Sequence, residues 1–346
     1  MPLELLVGGV LVVALTIYAL SGGADFGAGV WDLFAHGPRA KDQRALIANA
    51  IGPIWEANNV WLVLVVVVLF TAFPPAYAAI STALFVPLTI MLVGIVLRGA
   101  AFAFRAHDRL QDDVQRRWSR LFAIASIITP IMLGVCLGTI AAGAIQLDPG
   151  GLVTTGFFSA WLSPFAWSVG VLALALFAFV AALYLVVEAG APELRSDFRR
   201  RALAAGIATD LLAVVVFLLA RGGAPRMALG LTGTVWALPL LVVTALAALG
   251  TLWALWAARF LLARALGVGQ AVLILWGWAA AQYPYIIPPN LTLTAAAAPE
   301  VTLRLLLIAL VVGALVLFPS FYYLYRVFKG PTAFAIAEAE PEEART

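Results

Sequence analysis

The chain has 346 residues, of which 64% are hydrophobic and only 11% are charged, and its net charge is +3. Soluble domains are about 45–50% apolar, so this composition excludes an ordinary soluble protein. The few basic residues lie in short segments between apolar runs, so we expect no nucleic acid partner. The single cysteine, Cys136, excludes an intrachain disulfide and a thiolate metal site.

Apolar runs of membrane-spanning length recur along the chain, and the alternation typical of barrel strands is absent. This pattern predicts an all-α integral membrane protein with about nine transmembrane helices. The predicted spans are 5–33, 44–73, 76–104, 119–146, 161–188, 202–220, 232–260, 267–288 and 302–328. We expect residues 1–330 to form one polytopic membrane domain and residues 331–346 a short acidic cytoplasmic tail.

The basic residues alternate between successive loops. The first, third, fifth and seventh loops each carry at least two of them, the second and fourth carry none, and the sixth carries only Arg221 and Arg226. Because basic loops stay in the cytoplasm, the N-terminus is predicted to lie outside and the C-terminus inside. An odd number of helices agrees with this topology.

Two acidic residues fall inside the first two predicted spans, Asp25 and Glu56. An ionisable group at the centre of a membrane helix costs roughly 2.5 kcal/mol or more, so such groups usually serve a function. The helical rise places the two acids roughly 12 and 15 Å from the cytoplasmic side. With Asn58 and Asn59 beside them, they could form a hydrated proton route. The alternative is a structural hydrogen bond or an acid kept protonated by burial.

Four other residues of the spans need an explanation. Asp32, near the membrane interface, is expected to be a solvated helix end, and Asp210 to form an interhelical hydrogen bond. Arg98 could pair with an internal acid, hold a polar headgroup or extend to the cytoplasmic interface. Trp61, among valines, suggests a contact between helices.

No set of side chains in the sequence has the spacing of a metal site. The histidines, His36 and His107, fall in predicted loops, and neither Met91 nor Met132 has a histidine nearby. We therefore expect this chain to ligate no metal or haem, so a redox cofactor that needs axial ligands would belong to a partner.

Several motifs in residues 20–105 occur together and in order. Residues 23–29 (Gly-Ala-Asp-Phe-Gly-Ala-Gly) and 52–62 (Gly-Pro-Ile-Trp-Glu-Ala-Asn-Asn-Val-Trp-Leu) carry the strongest resemblance. Residues 69–78, residues 98–105 and Tyr283-Pro284 follow in register. By these motifs the chain resembles subunit II of the cytochrome bd quinol:oxygen oxidases.

The resemblance implies two four-helix bundles plus a peripheral helix. It also implies a heterodimer with a subunit I that carries haems b and d, oxidises quinol and reduces dioxygen to water. A small single-helix accessory subunit, membrane lipids and a structural quinone are further partners that it suggests. The location that it implies is the plasma membrane of a bacterium or archaeon.

The same resemblance suggests roles for individual residues. Asp25 and Glu56 match acids on a cytoplasmic proton route, and Trp61 matches a residue near an oxygen path. Trp55 and Arg98 match positions near a structural quinone in some members.

Two positions depart from the family pattern, and other interpretations remain open. Ala103 stands where members often carry an acid, and Asn59 where glutamine or histidine is usual. An ion-coupled secondary transporter would use Asp25 and Glu56 to bind its coupling ion, although the inverted repeats typical of that class are not recognisable. A purely structural membrane scaffold is the third interpretation.

Overall fold

The computed structural model describes residues 2–51, 55–107 and 112–329. The predicted acidic tail lies outside these residues. The helices are α1 (Leu3–Leu33), α2 (Ala40–Ile51), α3 (Trp55–Ala72), α4 (Pro74–Ala83), α5 (Phe85–His107), α6 (Asp112–Ala142), α7 (Pro164–Glu188), α8 (Pro192–Gly223), α9 (Pro225–Gly233), α10 (Ala237–Trp256), α11 (Phe260–Gln282), α12 (Leu293–Ala296) and α13 (Glu300–Lys329). Two short strands, β1 (Tyr285–Ile287) and β2 (Leu291–Thr292), form an antiparallel hairpin.

Within the described residues, eight helices are long and apolar enough to cross a membrane, and α3 together with α4 makes a ninth candidate. The membrane class and the predicted number of about nine spans are therefore confirmed. The predicted span 76–104 is wrong as a single helix, because α4 and α5 are separate. The axes of α3 and α4 differ by 119°. Pro74 begins α4 and has no N–H to continue the hydrogen bonds of α3, which is why the chain turns there.

Proline and a capping serine set the start of several helices. Pro164, Pro192 and Pro225 each stand at the beginning of a helix, where the missing N–H costs nothing. At α7, the Ser163 side chain also accepts a hydrogen bond from the Ala166 N–H. Proline therefore removes one unsatisfied N–H at each of these helix starts, and Ser163 satisfies a second one at α7.

The spanning helices pack as two groups of four. Helices α1, α3, α5 and α6 form the first bundle, and α7, α8, α10 and α11 form the second bundle. Helices α1 and α6 both pack on α7 and so join the bundles. Helix α13 contacts α1 and α3 from outside, and only 6% of its spanning window is buried. The arrangement implied by the family motifs, with a peripheral last helix, matches this packing.

Glycines of α1 allow the close approach of its neighbours. A methyl group at Gly27 would overlap the backbone carbonyl of Phe177 in α7, and one at Gly29 would overlap the side chain of Ser126 in α6. A methyl group at Gly23 would lie 2.6 Å from the Phe177 ring. Small residues at such crossings let membrane helices make close van der Waals contact. The glycines around Asp25 therefore allow α6 and α7 to approach α1 closely.

The connection before α13 contains the hairpin of β1 and β2 and the short helix α12. The hairpin and α12 pack against the start of α1, where the Leu293 side chain covers Gly8. The Thr294 hydroxyl lies 3.4 Å from the Glu4 carboxylate. These contacts hold the hairpin at the end of the molecule where α1 begins.

A polar network ties the other end of α1 to α2 and α8. Arg39 donates two hydrogen bonds to Asp197, at 2.9 and 2.7 Å, and Gln43 donates a third at 2.8 Å. Arg201 donates to the Phe34 carbonyl and to the Gln43 side chain. The expectation of a solvated Asp32 is wrong here. Its exposed fraction is 4%, because α2 folds back and α7 packs alongside.

The orientation in the membrane stays a prediction with a direct test. A reporter that is active only in the cytoplasm, fused after residue 346, should be active, because the arginine-rich loops favour a cytoplasmic C-terminus. The matched fusion between α6 and α7, within residues 148–156, should be inactive. The reverse pattern would contradict the predicted topology.

Candidate functional site

Asp25 lies inside the first bundle and is hydrogen-bonded across it. Its exposed fraction is 5%, and that of Asn58 in α3 is 1%. The Asn58 Nδ2 donates to the Asp25 Oδ2 at 2.5 Å. The glycines on either side of Asp25 draw α6 and α7 close, which removes this stretch of α1 from the lipid. The carboxylate therefore has a fixed amide partner in a low-dielectric interior.

Arg98 of α5 joins the same cluster. Its Nη2 donates to the backbone carbonyl of Asp25 at 2.8 Å, and its Nε lies 3.3 Å from the Ser126 Oγ. The guanidinium carbon lies 4.6 Å from the centre of the Phe26 ring and 5.0 Å from that of Phe122. At these distances cation–π attraction stabilises the charge.

The structure excludes one of the interpretations offered for Arg98. Its exposed fraction is 5%, so the side chain does not extend to the membrane interface, and that alternative is wrong. The side chain points inward because the carbonyl of Asp25, the Ser126 hydroxyl and two aromatic rings satisfy it there. We call Asp25, Asn58, Arg98 and Ser126 the polar cluster of the first bundle. Sequence reasoning missed Ser126, because a serine in a membrane helix carries no signal of its own.

Glu56 and Trp55 begin α3, one turn before Asn59. Their side chains lie outside the described part of the structure, so their predicted roles as relay and quinone contact stay predictions. Asn58, two residues after Glu56, is the polar residue of this segment that the structure places against Asp25. The predicted neighbourhood of Asn58 and Asp25 is thus observed.

Trp61 faces the peripheral helix. Its indole is 8% exposed and stacks on Phe321 of α13, with the ring centres 5.7 Å apart and the planes at 16°. A second ring, Phe318, lies at 6.5 Å. The predicted contact between helices is confirmed, and it explains how α13 is held on the first bundle.

Asp210 belongs to the second bundle and is separate from the polar cluster. Gln270 of α11 donates from its Nε2 to the Asp210 Oδ1 at 2.6 Å, which joins α8 to α11. The predicted interhelical hydrogen bond is confirmed. Like Asp25, this acid accepts a hydrogen bond from an amide of a neighbouring helix, but it lies in the other bundle.

The side chains do not suggest a place for a haem or metal ion in the described part of the chain. No group of three or more histidine, cysteine, aspartate or glutamate residues that could hold a metal ion occurs there. Cys136 is buried among apolar side chains, and His36 is exposed beside the Phe34 carbonyl. The residues that the structure describes therefore do not fit a haem, and the assignment of haems to a partner remains a prediction.

Comparison with known proteins gives the family. The family model described as cytochrome bd terminal oxidase subunit II matches residues 3–328. The putative cytochrome bd menaquinol oxidase subunit II of Bacillus subtilis strain 168 is 25% identical over 329 residues, which cover 90% of this chain and 91% of that protein. The cytochrome bd-I ubiquinol oxidase subunit 2 of Escherichia coli strain K12 is 29% identical over 180 residues, 51% of this chain and 46% of that protein.

A solved structure agrees over almost the whole chain. A chain of the bd oxidase from Geobacillus thermodenitrificans superposes with a TM-score of 0.79 at 25% sequence identity, covering 95% of this chain and 99% of that one. None of these matches favours the ion-coupled transporter. The chain therefore belongs to the cytochrome bd terminal oxidase subunit II family, as a multi-pass plasma-membrane subunit of an oxidoreductase complex in which it pairs with a subunit I.

Proposed function

We propose that this subunit carries protons from the cytoplasm toward the site of dioxygen reduction through Asp25 and Glu56. The observation that supports the proposal best is the buried hydrogen bond from Asn58 to Asp25, with Arg98 on the backbone of the same residue. A carboxyl group held in place by an amide can accept and release a proton without moving its helix. The positive charge of Arg98 offsets the cost of a buried carboxylate.

A proton route is needed because of the reaction that the complex catalyses. Reduction of dioxygen to water takes up protons at the site of reduction, whereas quinol oxidation releases protons at the quinol site. In this proposal haems b and d of subunit I would carry the electrons between the two. The described residues of this chain do not fit a haem, so the contribution that we propose for the chain is to orient Asp25 and deliver protons. Asn58 fixes one carboxylate oxygen, and the Phe26 and Phe122 rings keep the Arg98 charge beside it.

Three further assignments are part of the proposal and rest on the family motifs. We assign Trp61 to an oxygen path. In support of this assignment, Trp61 lies at the boundary between α3 and α13, where it stacks on Phe321. Trp55 and Arg98 contact a structural quinone, although the described hydrogen bonds of Arg98 lead inward to Asp25 and Ser126. A small single-helix subunit and membrane lipids complete the assembly.

Replacement of each carboxylate by its amide tests the relay. In the two-subunit oxidase, Asp25→Asn and Glu56→Gln keep the side-chain shape but remove the titrating group. Because acid–base transfer typically contributes about 10²–10⁴-fold, we expect oxygen consumption with excess quinol to fall by roughly tenfold or more. Haem content should stay normal. Glu56→Asp should retain part of the rate, because it keeps a carboxylate on a shorter stem.

Asp210→Asn is the matched control, because Asp210 is also an intramembrane acid but is hydrogen-bonded to Gln270 in the second bundle. It should consume oxygen at the unmodified rate. A relay role is wrong if Asp25→Asn and Glu56→Gln complexes with full haem content also respire at that rate. The two acids would then be structural.

A further inference from the structure

Tyr18 of α1 is a buried polar residue that none of the roles above uses. Its exposed fraction is 1%, and it packs in one cluster with Phe26, Trp61 and Phe177. Its hydroxyl has no hydrogen-bond partner among the described residues. A buried hydroxyl without a partner is unfavourable, and an ordered water is the usual partner of such a group.

The ring of Tyr18 runs along α1 toward Asp25. Its Cε2 and Cδ2 atoms lie 2.7 and 2.9 Å from the point where a Cβ at Gly22 would be, and its Cζ lies 3.4 Å from that point. Gly22 is one turn after Tyr18 and three residues before Asp25. Long side chains on helices usually point back toward the N-terminus, so this direction is uncommon. It is possible because Gly22 has no side chain.

The ring therefore extends along α1 in the direction of Asp25. Tyr18 and Asp25 are seven residues apart and so share one face of the helix. The Arg98 guanidinium carbon lies 4.6 Å from the centre of the Phe26 ring, which belongs to the same packed cluster as Tyr18. A buried water needs at least two polar partners, and the Tyr18 hydroxyl and the Asp25 side chain can supply them.

We propose that the Tyr18 hydroxyl holds a buried water molecule beside Asp25, and that Tyr18 is a positioning residue for proton transfer at that carboxyl group. This inference rests on the proposed relay function of Asp25. The protonated carboxyl gives its proton to the water oxygen, while one of the water's own protons moves to the next acceptor toward the dioxygen-reducing site, which consumes it. The water is regenerated, and Tyr18 keeps its phenolic proton throughout.

A high-resolution map of the two-subunit oxidase tests the water directly. It should show density for a water within about 3.2 Å of the Tyr18 Oη, and the Tyr18→Phe complex should lack that density. A map of the unmodified complex that resolves other buried waters but shows none at Tyr18 overturns the proposal. This measurement decides the question even if Tyr18→Phe does not assemble.

The turnover of Tyr18→Phe tests the positioning role. Because a misplaced water slows proton transfer without removing the acid, we expect a rate with excess quinol roughly three- to tenfold lower, with KM for quinol and haem content unchanged. The solvent deuterium isotope effect should increase, since proton transfer becomes more rate-limiting. If the hydroxyl had only a structural role, its removal would not change that isotope effect.

Tyr77→Phe is the control, because it removes a hydroxyl from a ring that packs on Phe70, outside the polar cluster. It should leave the rate and the isotope effect unchanged. If Asp25→Asn slows the oxidase but Tyr18→Phe leaves both quantities unchanged, the inference about Tyr18 is wrong while the relay stands. If Asp25→Asn has no effect, the relay itself fails, and the role of Tyr18 in it fails too.

Discussion

Replacing Gly27 by alanine should prevent α1 from packing on α7 and thereby prevent assembly of the two bundles. The added methyl group would overlap the backbone carbonyl of Phe177, and a backbone atom of a packed helix cannot turn aside as a side-chain tip can. Forced overpacking of this kind costs about 1–3 kcal/mol and sometimes more. We expect the loss of stability to reach or exceed the upper end of this range, because the two helices must separate along their length. The yield and thermal midpoint of the purified complex measure the effect.

Gly9→Ala is the matched control on the same helix. A methyl group at Gly9 would meet nothing within 4 Å among the described residues. Alanine also favours helix over glycine, so this variant should be at least as stable as the unmodified protein. A Gly27→Ala complex with normal yield and an unchanged thermal midpoint would show that the α1–α7 contact is looser than the structure indicates.

Replacing Arg98 by methionine should destabilise the first bundle almost as strongly. Methionine fills much of the same volume, but it removes the donor to the Asp25 carbonyl and the charge between Phe26 and Phe122. Leaving the Asp25 carbonyl and the Ser126 hydroxyl without their buried donor costs roughly 1–3 kcal/mol for each group. Thermal unfolding of the purified complex should show the loss.

Two further variants show that the effect of Arg98→Met depends on burial. Arg304→Met removes an arginine whose ion pair with Glu300 is exposed, so it should cost no more than about 1 kcal/mol. Arg98→Lys keeps the charge but not the planar, forked guanidinium group. Its thermal stability should therefore lie between that of Arg98→Met and that of the unmodified protein. Equal stability of Arg98→Met and Arg304→Met would mean that the buried guanidinium is not needed.

The class of the protein and its main functional candidate could be predicted from local sequence. Apolar runs of about 20 residues specify membrane helices, because the bilayer thickness sets the length and the backbone must be satisfied internally. An acid within such a run is conspicuous, so Asp25 is recognisable from the sequence alone. Ordered motifs over residues 20–105 were enough to indicate the family that the comparisons established.

Only the tertiary structure decided which way the polar side chains turn. Arg98 and Asp32 both lie near ends of spans, where the sequence allows either contact with water or burial. The partner helices decide the outcome, because Ser126 and the Asp25 carbonyl satisfy Arg98 inside the bundle, while α2 folds back toward Asp32. Local sequence also gave no reason to separate α4 from α5, since the residues around the break between them, Ala83 to Val86, are apolar.

Tyr18 shows most clearly which features the sequence predicts and which the tertiary packing decides. Its place two turns before Asp25 can be read from the sequence, since residues seven apart share a helix face. Its ring could still lie in either direction along α1. The ring points toward Asp25 because Gly22 has no side chain in that direction. The side chains of Phe26, Trp61 and Phe177 pack in the same cluster as this ring. Helix formation depends on neighbours in the chain, whereas the polar cluster depends on groups from α1, α3, α5 and α6 that meet only when the bundle is packed.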